Sequence, residues 1–160
     1  MIVVEAKYYP YLLMGVGGER HTEADYVAMF EATEAVARQA IRDKTRHVVV
    51  SSSNFNMSAA ERKFVAARAA AVPQELQDVS LGAYVIAESL AIRGVLTALR
   101  WLTPSLVSVE AVGSVDAAMT ATAAVFEAHG IKVNAERTRG ARRWLEEQTV
   151  LQRKAAGAPG

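Results

Sequence analysis

From residue 45 onward, short β-branched runs alternate with segments whose apolar residues recur at helical spacing, and this alternation limits the fold more than any other feature. His47-Val48-Val49-Val50 is bounded by Thr45-Arg46 and by the polar Ser51-Ser52-Ser53-Asn54, which predicts a strand buried on both faces. Ser58 followed by Glu61 is a capping box, so a helix should start there and continue to Val72, where Pro73 stops it. Residues 80–87 then read as a strand, and residues 88–102 as a helix with Ile92, Val95, Leu96 and Leu99 inward and Pro104 beyond its end. Residues 106–112 give another strand. Ser114 opens a helix that His129 and Gly130 close, Gly130 serving as the glycine that ends a helix in the left-handed conformation. Strands linked through helices in this way imply right-handed crossovers and a mostly parallel sheet.

Ahead of this unit, residues 2–8 and 11–16 read as two strands separated by Pro10, an antiparallel edge to the sheet. Gly15-Val16-Gly17-Gly18 is expected to end the second strand in a turn. Thr22 with Asp25 then starts a helix over 23–43, with Tyr26, Val27, Phe30, Ala37 and Ile41 inward and Glu31, Glu34, Arg38 and Arg42 outward. After Gly130, residues 131–133 suit a small edge strand. A final helix is expected near 140–153, where Trp144, Leu145 and Leu151 are the apolar positions among Arg137, Arg139, Arg142, Arg143, Arg153 and Lys154. The expected organisation is an α/β domain over 1–133, an appended basic helix over 134–153 packed on it, and a flexible tail over 154–160.

A chain of 160 residues, 51% of them apolar, can bury a core of its own without a disulfide or a structural metal. With no cysteine, thiolate catalysis and cysteine-ligated metal sites are excluded. Eighteen basic against seventeen acidic residues give a net charge of +1, which argues against a dedicated nucleic-acid binder. Thirty alanines favour helix. Glu5 and Lys7 interrupt the first apolar run too early for an export signal, and Arg93, Arg100 and Pro104 break the longest apolar stretch. A cytoplasmic protein with no integral membrane segment is the expectation.

The candidate sites are few. Ser51, Ser52 and Ser53 stand at the carboxyl end of a central strand, where parallel α/β sheets place function. Either they are a strand exit whose hydroxyls satisfy backbone groups or they meet a ligand, a partner or a kinase. Gly15-Val16-Gly17-Gly18 lacks the spacing of a phosphate loop, since Arg20 stands where a third glycine is needed. Arg93 lies among Leu90, Ile92, Val95 and Leu96, so it either extends along its own stem or pairs with an anion. His21, His47 and His129 are far apart in the chain and have no metal-ligand spacing. His129 suits a cation at a helix C-terminus. Glu146 and Glu147 diverge on one helix, and no G-x-S-x-G elbow is present.

The stretch from Ala83 to Leu102, an apolar strand leading into a helix with Arg93 near its start and Trp101 near its end, resembles the matching segment of SpoIIAA-like (STAS-like) bacterial proteins. The similarity extends over about 2–128 through the two opening strands, the glycine-bearing segment, Thr22 and Ser58-Ala59-Ala60-Glu61-Arg62. The resemblance implies a STAS-like sandwich and a non-enzymatic regulatory domain acting by protein contact, as anti-sigma factor antagonists do. In that family a phosphorylatable serine sits in a turn that aligns with Ser51-Ser52-Ser53-Asn54, although the turn's aspartate and glycine are absent here. Ser51, Ser52, Ser53 and Ser58 are therefore the partner or phosphorylation candidates, on a loop 51–58 and the helix after it. The alternative is a carrier holding an apolar or lipid-like small molecule between the sheet and helix 88–102. A protein partner is expected, with a homodimer or a small apolar ligand as further options, and neither a metal, a cofactor nor nucleic acid.

Overall fold

The computed structural model describes residues 1–18, 20–55, 57–87, 93–94, 96–97 and 108–155. Five strands form one sheet in the order β1-β2-β3-β4-β5: β1 (Ile2–Glu5), β2 (Tyr11–Gly18), β3 (His47–Phe55), β4 (Ser80–Ile86) and β5 (Val109–Val112). The β1–β2 pair is antiparallel and the other three pairs are parallel. This is the mixed α/β architecture with an antiparallel edge that the alternation predicts.

Helix α1 (Glu23–Arg42) follows β2, while α2 (Ala59–Ala70) and the short α3 (Gln74–Gln77) follow β3. After β5 come α4 (Val115–Ala128) and α5 (Ala135–Ala155). The strands add always in the same direction, and α1, α2 and α3 lie together, α1 packing on β1 and β3 and touching both α2 and α3. The chain then returns across the other face: α4 packs over β4 and β5, and α5 over β2 and β3.

The strand periodicity divides the core accordingly. Tyr11 and Leu13 of β2, Val48 and Val50 of β3, and Tyr84 and Ile86 of β4 meet Met119 and Phe126 of α4 and Ala141 and Leu145 of α5. Leu12, Met14 and Val16 point the other way, to Val36 of α1. The C-terminal helix thus completes the larger half of the core, and each fully buried side chain such as Leu145 contributes roughly 1.5–3 kcal/mol.

Both predicted capping boxes form. Thr22 Oγ1 accepts from the Asp25 N–H at 3.2 Å, and Ser58 Oγ from the Glu61 N–H at 3.2 Å. The carboxylates of Asp25 and Glu61 answer by accepting from the Thr22 and Ser58 N–H groups, each at 2.7 Å.

Several boundaries differ from expectation, each for a local reason. β1 ends at Glu5 instead of residue 8, because the Glu5 carboxylate accepts from the Lys7 N–H at 2.7 Å and starts a turn. The glycines expected to end β2 lie inside it. β3 continues five residues past Val50, through the serines, since β2 pairs with it as far as Gly18 and Phe55. Residues 131–133 form no strand, and the Ile131 N–H is used in capping α4, bonding the Phe126 carbonyl at 2.9 Å. α5 begins at Ala135, five residues before the expected start, because Asn134 Oδ1 accepts from the Arg137 N–H at 2.8 Å as a cap. It also runs through Lys154 and Ala155, which were expected in the tail. Tyr26 and Ala37 of α1 are buried as expected, but Glu34, expected outward, is buried too, and Ile41, expected inward, is 40% exposed. The predicted helix 88–102 lies outside the described residues except for Arg93, Gly94, Leu96 and Thr97, which are helical.

Candidate functional site

Ser51, Ser52 and Ser53 do not form a strand-end loop. They are 6%, 1% and 5% exposed within β3, with their hydroxyls already engaged. Ser51 and Ser53, two apart in the strand, share one face and bond each other at 2.7 Å. Ser52 points to the opposite face, where Thr149 Oγ1 and Gln152 Oε1 of α5 lie 2.9 Å from its hydroxyl. Gln152 Nε2 donates to the Ser52 carbonyl at 2.8 Å, and Asn54 Nδ2 donates to the Gln152 carbonyl at 3.3 Å. In this arrangement the three serines join elements. Of the four serine candidates only Ser58 is exposed, and its hydroxyl caps α2.

Gly15 and Gly17 fit the same design. Both lie on the β2 face under α5, and a Cβ built on Gly15 would stand 2.6 Å from Gln148 Oε1 and one on Gly17 2.9 Å from Gln152 Cγ. The two glycines let the helix approach the strand, a packing reason that a search for turns or phosphate loops misses.

Arg93 is exposed, and its Nε donates to the Ala87 carbonyl at 3.5 Å. His21 Nε2 lies 3.3 Å from the Gly17 carbonyl, and His129 Nδ1 lies 2.8 Å from the Val125 carbonyl at the end of α4. Among the described residues no group of three His, Cys, Asp or Glu side chains could hold a metal ion, and no helix is long and apolar enough to cross a membrane.

The site that the structure assembles lies on the other face of the sheet. A partly open cavity of about 160 Å³ lies between α1, α3 and strands β3 to β5. Phe30 and Ala37 of α1, Val49 of β3, Leu76 of α3 and Ala83 of β4 make its wall almost wholly apolar. Small side chains create the space: alanine at 37 and 83 leaves room where a larger residue would close it. Its volume suits a single ring or a short chain, for an engineered cavity of roughly 150 Å³ holds benzene.

His47, at the start of β3, is the most deeply buried polar side chain of this wall. It is 1% exposed, and neither ring nitrogen makes a hydrogen bond among the described residues. Burial pushes the imidazole down to about 4, a shift that the neighbouring Val79 carbonyl opposes only in part. The ring is therefore neutral at pH 7, and the Val79 carbonyl is the polar group placed to offset part of its desolvation. Ser80 faces His47 in the strand register and also lines the cavity, yet the ring bonds neither it nor Glu34. The Glu34 carboxylate is held instead by Arg38 at 3.0 Å and Arg68 at 2.9 Å. Among the described residues that line the cavity, no hydroxyl is hydrogen-bonded to the His47 ring.

Two signals of the site were in the sequence: a histidine inside a β-branched run and alanines facing a sheet. Neither was legible as a cavity, because α3 and the depth of Glu34 depend on how α2 returns. No family model, curated protein or solved structure matches the chain.

Proposed function

We propose that this chain is a non-enzymatic binding domain that holds a small, mainly apolar, uncharged molecule in the cavity beneath α1 and α3. The observation that carries the reading is the cavity itself, an apolar space of about 160 Å³ walled by a buried histidine with no hydrogen-bond partner among the described residues. An empty apolar space forgoes dispersion contacts, and an unbonded buried polar group costs roughly 1–3 kcal/mol. A ligand with one ring or short chain and a single hydroxyl or carbonyl relieves both, provided the ring turns a nitrogen toward it.

This reading retains the carrier function but moves its site from helix 88–102 to the pocket under α1 and α3. Regulation by protein contact is the second reading, favoured by the link between the cavity and α2. Arg68 of α2 bonds Glu34 and lies 5.5 Å from the Phe30 ring centroid, and Phe30, Glu34 and Val72 line the cavity. A ligand against Phe30 bears on the seating of α2, whose N-cap Ser58 is exposed. The contact surface is then α2, not the buried serines.

The test is native mass spectrometry of gently purified protein, with Ala37→Leu as the variant that fills the space. The expected result is a co-purified small molecule, or a thermal shift with small phenols and aliphatic alcohols, that Ala37→Leu abolishes without loss of stability. Binding that survives in Ala37→Leu, or no retained molecule and no shift with any such compound, overturns the reading.

A further inference from the structure

We infer that a second site, independent of the apolar cavity, binds a multiply charged oxyanion such as the phosphate group of a small metabolite, in a groove at the amino ends of β3 and β4. The groove has a volume of about 790 Å³ and runs between the ends of α1 and α4. Lys44, Arg46, His129 and Lys132 line it, and no acidic residue does. All four are exposed, and none forms an ion pair among the described residues. In a chain of net charge +1, Lys44, Arg46 and Lys132 on one groove are a local concentration of positive potential.

The bland account is that cations gather at helix C-termini to offset the helix dipole. The capping geometry weakens it, because both ends are already closed by backbone N–H groups. At α1, Lys44 N–H bonds the Ile41 carbonyl at 3.1 Å and Thr45 N–H the Ala40 carbonyl at 3.0 Å. At α4, Gly130 N–H bonds the Glu127 carbonyl at 3.0 Å and Ile131 N–H the Phe126 carbonyl at 2.9 Å. The two helices end in the same motif, and each needs one residue at positive φ.

At that position α4 has Gly130, with φ of 66°, whereas α1 has Lys44, with φ of 50°. Lys44 is the one non-glycine residue at positive φ among those described. Glycine would take this conformation without strain, so the lysine is unfavourable for the backbone. A strained residue whose side chain borders a cationic groove points to work done by that side chain. Lys132 on the loop after α4 and Arg46 leading into β3 border the same groove, so three cations from separate segments face one space.

The experiment is titration of the full chain with inorganic pyrophosphate, followed by NMR or calorimetry at low and moderate ionic strength. Saturable binding is expected, about fivefold weaker in Lys44→Gly and in Lys132→Gln, the change for removing one unit charge roughly 4 Å away in a water-like medium. Lys44→Gly should also melt no lower than the parent, which separates a binding role from a structural one. Arg143→Gln, at an exposed position of α5, should bind as the parent does. The inference is overturned if pyrophosphate fails to saturate, if the groove variants bind equally well, or if Arg143→Gln weakens binding as much as they do. None of these outcomes depends on a ligand in the apolar cavity, so each site stands or falls separately.

Discussion

Gln152 grips Ser52 at two points across 100 residues of chain: its Nε2 donates to the Ser52 carbonyl at 2.8 Å, and its Oε1 accepts from the Ser52 hydroxyl at 2.9 Å. Both residues are buried. Shortening Gln152 therefore removes both bonds, taking the side-chain donor from the Ser52 carbonyl and leaving the Ser52 hydroxyl with Thr149 alone. Gln152→Ala is expected to cost about 2–3 kcal/mol in chemical denaturation, and Ser52→Ala about 1 kcal/mol. A double-mutant cycle should give a coupling of at least about 0.5 kcal/mol. Additive losses would show that the clasp does not hold α5 to β3.

The glycines beneath that helix give a graded test. A Cβ at Gly15 meets the far end of Gln148, which can swing away, whereas one at Gly17 meets Cγ of Gln152 near a side chain pinned by Ser52. Gly17→Ala is expected to destabilise by about 1–3 kcal/mol and Gly15→Ala by less, as overpacking costs depend on what can yield. Thermal denaturation of the two variants checks the order.

The His47 imidazole is depressed from its usual value to about 4, so between pH 6.5 and 4 the unfolded chain binds a proton that the folded chain refuses. Its effect on stability is therefore nil above pH 6.5 and grows as the pH falls toward 4. At the acid end of the window it amounts to roughly 3 kcal/mol of lost stability. His47→Leu should be at least as stable at pH 7 and should lose less stability on acidification to pH 4. Urea midpoints of both proteins over that range decide it; parallel curves would mean that the ring is solvated or paired in the folded state.

Glu34 is shared by two arginines of unequal burial, Arg38 with its side chain 54% exposed and Arg68 with 30%. An exposed i,i+4 pair contributes only about 0.3–0.5 kcal/mol. Arg68 also lies over Phe30 and ties α2 to α1, so Arg68→Met should cost about 1–2 kcal/mol against less than about 0.5 kcal/mol for Arg38→Met. Equal effects would show that the α1–α2 bridge carries no special weight.

Local rules were the readable part of the fold. Thr22 with Asp25, Ser58 with Glu61, and Ser114 before Ala117 each settle a helix start through bonds within three residues. Pro73 and Gly130 settle helix ends in the same local way. Boundaries that depend on partners were not readable. The serines look like a strand exit until β2 is seen to pair with them, and Glu34 looks like a solvent residue until Arg68 arrives from another helix. The candidate site followed the same division: His47 was visible as a residue, while the space beside it was not.

The order of the five strands and of α1, α2, α4 and α5, and with it the mixed sheet with an antiparallel edge, was determined by the sequence alone, because periodicity and caps are properties of neighbouring residues; the short α3 and the missing strand at 131–133 were not. Tertiary structure alone decided which polar groups were to be buried, where a cavity remained, and that the C-terminal helix would close the core over Gly15 and Gly17. Those outcomes rest on contacts between residues as far apart as Ser52 and Gln152, where neither member carries a mark of its partner until the sheet brings them together.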